Sequence, residues 1–357
     1  MTQLKFLALQ NFRNYSQLEL ELHPGLSLIV GPNGCGKTNL IEAAGFLARG
    51  LPLRNIQSES LIHNGQDRAT ARGEFVAGNR NLLVEAELPS PPKRLRMQVN
   101  RQALARKSDL HAMIRLTTFL PSHMALVQGG PDGRRSFLDD SAAALFPQAA
   151  GVLADVQSVL RQRNALLRQA AGSLSFQAAS GLDVWDEKLA QVAHQCVAFR
   201  LNALGKVLPY VCEAYREIAG SEASVDLTYQ PCWSGDDFRQ ALKRARGQDV
   251  RRGYTTIGPH RDDAHLQLNG LAAKTHASQG EQRTLALAMR LALHQIQRDV
   301  HQEVPLLLLD DVLSELDDHR STRLLKALPT GQVLITSAVS LPGQVQPDDV
   351  IEVENLF

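Results

Sequence analysis

Aromatic residues make up only 5% of this 357-residue chain, and they do not interleave with the basic clusters in the pattern of a single-strand stacking platform. A platform on which unpaired bases stack is therefore not expected. Cysteine is scarce too. Cys35, Cys196, Cys212 and Cys232 stand apart with no CxxC pair, which argues against a zinc site or a disulfide framework and favours a reducing cytoplasm. No apolar run approaches the ~20 residues of a membrane helix. The start, MTQLKFLALQNFRNY, lacks the charged-then-apolar order of a signal peptide. Net charge is missing as well: 38 Lys and Arg against 37 Asp and Glu leave +1, so any nucleic-acid surface has to be local. Heptads are not sustained, which excludes a long coiled coil.

What is present is an ordinary soluble composition, 44% hydrophobic and 21% charged, in a chain long enough for two or three domains or one domain with a large insertion. KFLAL and QLELEL alternate as half-buried antiparallel strands do, and 69–100 alternates again. LSLIV, PLLLLDD and QVLIT read as buried parallel strands. From Arg134 to Gly220 the text turns Ala-, Leu-, Gln- and Arg-rich, as in SVLRQRNALLRQ, which predicts long amphipathic helices with a loop at AGSLSFQAASG. After GPHRDD the alternation returns with AHLQLNG. The expected architecture is α/β: one domain from 1–125 and 255–357, with a mainly helical lobe at 126–254 inserted.

GPNGCGKT, Gly31 to Thr38, fits GxxxxGK[ST], follows the strand LSLIV and opens a helix. Glycines there let successive amides point at one phosphate, and the helix N-terminus adds partial positive charge. The cradle would comprise Gly31, Pro32, Asn33, Gly34, Cys35, Gly36, Lys37, Thr38 and Asn39. Lys37 would reach the β- and γ-phosphates of ATP, and Thr38 would place its hydroxyl on Mg²⁺. LLLLDD then supplies the acids: Asp310 for Mg²⁺ and Asp311 for the attacking water. Capping of the next helix is the plainer role for either aspartate.

Between them lies SQGEQRT, Ser278 to Thr284, at the mouth of an apolar helix, and SELD, Ser314 to Asp317, follows the acids. The order GPNGCGKT, SQGEQRT, LLLLDD, SELD resembles that of ABC-type ATPase heads: Walker A, signature, Walker B and D-loop. That resemblance implies a P-loop fold with an antiparallel β subdomain. It also implies that Ser278, Gln279 and Gly280 complete a site on the ATP held by a second copy, so that ATP joins a homodimer. Many such heads carry Glu where this chain has Asp311, so slow hydrolysis is expected. Transporter heads place a His after the last core strand, whereas SAVS follows QVLIT here. Thr336 or Ser337 would then have to face the γ-phosphate.

LQNFRNYSQLELELHPGLSLIVGPNGCGKTNLIEA, GGPDGRRSFLD, LRQRNALLR and TTIGPHRDD closely resemble the RecF family of bacterial DNA-repair proteins, relatives of the SMC-type ATPases. The resemblance spans nearly the whole chain. It implies a weak DNA-stimulated ATPase of recombinational repair, replication and the SOS response. The partners it implies are double-stranded DNA and single-/double-strand junctions, and RecR and RecO in loading the recombinase RecA. Arg13 and Asn14, in NFRNY, would lie near the nucleotide, though a turn explains them equally well. Gln128 is a candidate Q-loop glutamine that senses Mg²⁺.

Candidate DNA contacts are Arg134 and Arg135 in the turn, Arg161 and Arg163 in the helical arm, and Lys243, Arg244 and Arg246 in QALKRARGQDVRRGY. Such contacts would be sequence-independent and salt-sensitive, but a charged helix face is commonly just solvated. Arg134 and Arg135 could instead pair with Asp139 or Asp140. His260 and Arg261 could mark a corner held by Arg261–Asp pairing. A transporter subunit would share the motifs, but the Lys37–Ser278 interval is too long for one. An architectural SMC protein would need hundreds of coiled-coil residues. A binding module with incidental hydrolysis stays open as an alternative, since Asp311 permits turnover without guaranteeing it.

Overall fold

The computed structural model describes every residue except 55, 171–175, 234–236, 315, 339–340, 342–344 and 357. The chain divides into two compact units. The first takes Met1–Met124, Glu213–Glu222 and Ser278–Phe357; the second takes Ala125–Cys212 and Ala223–Ala277.

In the first unit, strands β1 (Thr2–Phe12), β2 (Tyr15–Glu21) and β3 (Leu26–Val30) lead into helix α1 (Lys37–Arg49). Next come β4 (Arg68–Ala77), β5 (Arg80–Pro89), β6 (Arg96–Val99), β7 (Gln102–Ala103), α2 (Ser108–Met113) and β8 (Leu116–Phe119). Six of these strands form an antiparallel sheet in the order β2-β1-β4-β5-β6-β7. The alternation read in the sequence is its pleat: Leu4, Leu7 and Leu9 face inward on β1, and Val84, Ala86 and Leu88 on β5. Helix α1 lies against that inner face through Leu40, Ile41, Phe46 and Leu47, all at most 3% exposed and in one cluster with the strands.

The second unit opens with α3 (Pro131–Leu145), α4 (Ala149–Gln169) and α5 (Phe176–Ala219), whose last residues, from Glu213, belong to the first unit. It continues with β9 (Val225–Gln230), α6 (Phe238–Arg252), β10 (Asp263–Leu268), β11 (Leu271–Ala272) and α7 (Ala273–His276). The lobe thus carries a three-stranded sheet, β11-β10-β9, beside its helices. AHLQLNG lies in that sheet, not in the ATPase fold. The division at 255 shifts accordingly: residues 255–277 stay with the second unit, where β10 pairs antiparallel with β9. Residues 176–181 of the expected loop are the first turns of α5; the rest of that loop lies outside the described residues.

The chain returns to the first unit with α8 (Gln279–His301), β12 (Leu306–Leu309), α9 (Asp318–Ala327), β13 (Val333–Ser337) and β14 (Asp349–Glu352). These complete a five-stranded sheet, β14-β3-β13-β12-β8, whose strands are all parallel. β12 and β13 are buried throughout, as strands covered on both faces require. The loop after β3 and the acids after β12 both leave the carboxyl ends of this sheet, separated by β13 alone. Ligands of open α/β sheets bind at those ends.

Candidate nucleotide site

The P-loop is held by its own residues. Lys37, 9% exposed, donates from Nζ to the carbonyls of Gly31 (2.6 Å) and Pro32 (2.8 Å). Pro32, Asn33 and Gly34 are exposed at the tip. Gly36 has φ +117°, and a Cβ there would stand 2.3 Å from the Asn14 side chain. The space is filled because Asn14 donates to the carbonyl of Cys35 (2.8 Å) and accepts from Nδ2 of Asn39 (2.7 Å). Asn14 therefore acts as a wedge beneath the loop. Tyr15 assists by donating to the carbonyl of Gly36 at 3.2 Å, and burial raises its phenol pKa above the usual range. Arg13 has φ +54°; its amide donates to Leu61 O and its carbonyl accepts from Nδ1 of His63, both at 2.7 Å. Its Nε is buried with no hydrogen-bond partner among the described residues, and burial lowers the guanidinium pKa.

The strand order brings Thr38 and Asp310 together across 272 residues. Asp310, 2% exposed, accepts at one carboxylate oxygen from the hydroxyls of Thr38 (2.9 Å) and Thr336 (2.8 Å). Burial raises its pKa, against the pull of those two bonds. Thr336 accepts in turn from the amide of Asp311 at 2.8 Å. Thr336 thus braces both acids. Asp311 itself is exposed, with φ +51°. Asp and Asn tolerate that left-handed region better than other side chains, which is a backbone reason for Asp in place of Glu.

Thr38 and Asp310 present hard oxygen donors, which suit Mg²⁺. No cluster of three or more His, Cys, Asp or Glu exists among the described residues. The ion's remaining ligands would come from water and nucleotide phosphates, as is usual for Mg²⁺. Sequence reading missed Arg54 and Glu42: Arg54 pairs at 3.1 Å with the buried Glu42 of α1, and its charge reaches Asp310. No motif marks an arginine 17 residues past the lysine.

Ser278 caps α8. It accepts from the amide of Glu281 while Oε2 of Glu281 accepts from both the amide and the hydroxyl of Ser278 (2.8 Å), a capping box that lowers the Glu281 pKa. Ser278 and Gln279 are exposed. Arg283, by contrast, is 2% exposed and donates to the carbonyls of Val312 (3.1 Å) and Asp311. The signature helix is thereby tied to the backbone after β12. In the D-loop, Asp317 caps α9 and Glu315 lies outside the described residues.

In the second unit most of the candidate DNA arginines are already engaged. Arg163 is fully buried, 2.7 Å from both Asp186 and Asp249 and 2.8 Å from the Thr255 hydroxyl. Removing one member of such a pair costs about 3–5 kcal/mol, against ~0–1 kcal/mol for an exposed one; Arg163 is a structural staple and not a DNA contact. Arg134 forms a bidentate pair with Asp263 at 2.9 and 3.0 Å. Arg135 reaches Asp132 and the carbonyl of Asp262, so neither arginine takes Asp139 or Asp140. Asp139 is held by Arg200, which also donates to the carbonyl of Pro259 at 2.7 Å. Arg246 is shared between Asp183 and Asp186. Arg161, Lys243 and Arg244 are exposed, as is Gln128.

GGPDGRRSFLD and TTIGPHRDD therefore meet as one braced corner. Tyr229 donates to Asp262, which also accepts from the amide of Cys232. Burial lowers the His260 pKa to about 4. Arg261 lies over the ring of Tyr254, 5.4 Å from its centroid, in place of the expected aspartate pairing.

A P-loop and two acids at the carboxyl ends of a parallel sheet, beside an antiparallel subdomain, define an ABC-type ATPase head. Residues 3–341 match the RecF/RecN/SMC N terminal domain family. The "DNA replication and repair protein RecF" of Streptomyces avermitilis is 40% identical over 355 residues, covering 94% of each chain. That of Frankia alni is also 40% identical, covering 94% of this chain and 93% of that one. The chain belongs to the RecF family. A solved structure of the recombination mediator protein RecF with ATP, of the RecFOR pathway, superposes with a TM-score of 0.87 at 27% identity, covering 98% of this chain and 95% of that one. An Smc head domain from Pyrococcus furiosus, 16% identical, shares the fold at a TM-score of 0.57 over 94% and 90% of the two chains.

Proposed function

We propose that this protein is an ATP-switched, double-stranded-DNA-binding protein of recombinational repair. The observation that carries the reading is the cluster of Thr38, Asp310, Thr336 and Asp311 beside the P-loop, on the same unit as the α8 N-terminus, where Ser278 and Gln279 are exposed. ATP lies on the P-loop of one copy, with Lys37 turned from the Gly31 and Pro32 carbonyls to its β- and γ-phosphates. Mg²⁺ held near Thr38 and Asp310 neutralises phosphate charge when bound. Asp311 orients the attacking water, and its short side chain keeps turnover slow. Ser278, Gln279 and Gly280 of a second copy close the site, so ATP binding assembles the dimer and hydrolysis releases it.

The dimer grips duplex DNA at gaps and junctions through phosphate contacts, and Arg161, Lys243 and Arg244 are the exposed candidates on the second unit. The RecFOR pathway of the structural relative supports RecR and RecO as partners in loading RecA. The expected place is the cytoplasm; no helix among the described residues is long and apolar enough to cross a membrane.

Fluorescence anisotropy with labelled duplex, at fixed moderate salt, with and without ATP, tests the reading. Binding should require ATP and steepen with protein concentration. Equal binding without nucleotide would overturn the ATP switch.

A further inference from the structure

A run of cations with few counter-charges lies on the ATPase head, outside every motif considered above. Between Glu87 and Asp109 the chain runs 21 residues without an acid. It carries six cations there: Lys93, Arg94, Arg96, Arg101, Arg106 and Lys107. With +6 in that segment and +1 in the whole chain, everything else carries −5. All six side chains are exposed. Arg96 faces Glu87 at 3.8 Å with its side chain 77% exposed, a distance and exposure at which the pair is worth little. The other five are in no ion pair among the described residues. The arginines of the second unit that looked most suited to DNA are, in contrast, held by aspartates.

The fold gathers these charges. The β5–β6 loop brings Lys93 and Arg94, and the β7–α2 loop brings Lys107, to one open cleft of about 330 Å³. Ser58, Leu95 and a single acid, Glu59, also line it. Arg101 stands at the tip of the β6–β7 hairpin, where Asn100 and Arg101 take φ of +51° and +66°. That tip is pinned to β5: the amide of Leu83 donates to Oδ1 of Asn100 at 2.8 Å, and the amide of Asn100 donates to the carbonyl of Leu83 at 2.8 Å. The cations thus sit on a fixed ribbon and its flanking loops.

We infer that this hairpin and its two loops form a binding surface for the phosphate backbone of double-stranded DNA. The inference rests on the DNA-binding reading above and assigns it a place. Residues 88–108 contain no Phe, Tyr, Trp or His, so unpaired bases have nothing to stack on. The same lack of aromatic anchors disfavours a protein partner, whose interfaces depend on them. Strand β6 alone covers ~13 Å at ~3.3 Å per residue. A duplex carries a charge every ~1.7 Å of its axis, so several phosphates fall within that span.

The test compares duplex binding, with ATP, by the unsubstituted protein and by Lys93→Gln/Arg94→Gln/Lys107→Gln across a salt series. The variant should bind at least about tenfold more weakly at moderate salt, and its log K against log[salt] line should be flatter by about 2 to 3, near 0.9 per phosphate contact. ATP-driven dimerisation should be unchanged. Lys107 packs near Gly50, so if that variant misfolds, Arg101→Gln/Arg106→Gln carries the test with a slope change of about 2. Unchanged affinity and slope in a protein that does bind duplex would overturn the site alone. If the unsubstituted protein binds no duplex, the DNA reading itself falls, and this site with it.

Discussion

At position 280 a methyl group would meet the far end of a single flexible side chain. A Cβ there would stand 2.3 Å from Nη1 of Arg320. Arg320 is also 3.7 Å from Asp317, whose other carboxylate oxygen caps α9. The signature turn and the D-loop helix are therefore in contact through one guanidinium. Gly280→Ala should displace the Arg320 guanidinium, not the backbone, and weaken ATP-driven dimerisation by up to about tenfold, ~1 kcal/mol, the low end of overpacking costs. The cause assigned is specific, so it predicts non-additivity. Gly280→Ala/Arg320→Ala should dimerise better than Gly280→Ala alone, because the obstructing group is gone. Sedimentation velocity with and without ATP reads this directly. A double variant at least as impaired as the sum of the two singles would mean that glycine is needed for some other reason.

At the level of elements, α8 joins the signature to the core and hides a titratable group. His294 is 1% exposed, both ring nitrogens are without a hydrogen-bond partner among the described residues, and burial, helped by Arg298, lowers its pKa to about 4. Above the ordinary histidine value near 6.5 neither state is charged, so His294 gives no pH dependence there. Below it the unfolded chain takes up a proton that the folded chain refuses, and stability falls until the pH reaches about 4. His294→Leu should leave stability at pH 7.5 within ~1–2 kcal/mol and flatten the loss between pH 6.5 and 4, as read by urea midpoints. An identical acid limb would remove His294 from this account. Helices and strands were legible where their signal is local: GPNGCGKT is consecutive, and the pleat of β1 shows in its alternation. Arg163 was not legible, because its partners Asp186 and Asp249 lie 23 and 86 residues away. Nor was β9, a short strand in helical surroundings that only its pairing with β10 defines. The role of Thr336 required the strand order, since β13 lies between the two strands that carry the site.

For the whole molecule the question is whether one copy can complete its own site. Under the proposed reading it cannot, because the P-loop and the signature that serve one ATP come from different copies related by a twofold axis. Lys37→Arg spoils the phosphate cradle, and Ser278→Arg spoils the closing turn while leaving ATP binding to the monomer intact. Each variant alone should be inactive as a DNA-stimulated ATPase. Their mixture should not be: a mixed dimer pairs the sound P-loop of one variant with the sound signature of the other, and its second site is doubly spoiled. With random pairing, half the dimers are mixed and each has one live site of two, so activity should return to about a quarter of the unsubstituted level. A signature acting within its own copy would give no recovery, since every chain in the mixture would still carry one broken motif. Recovery should also vanish on dilution below the dimerisation constant, which separates a shared site from a contaminating ATPase.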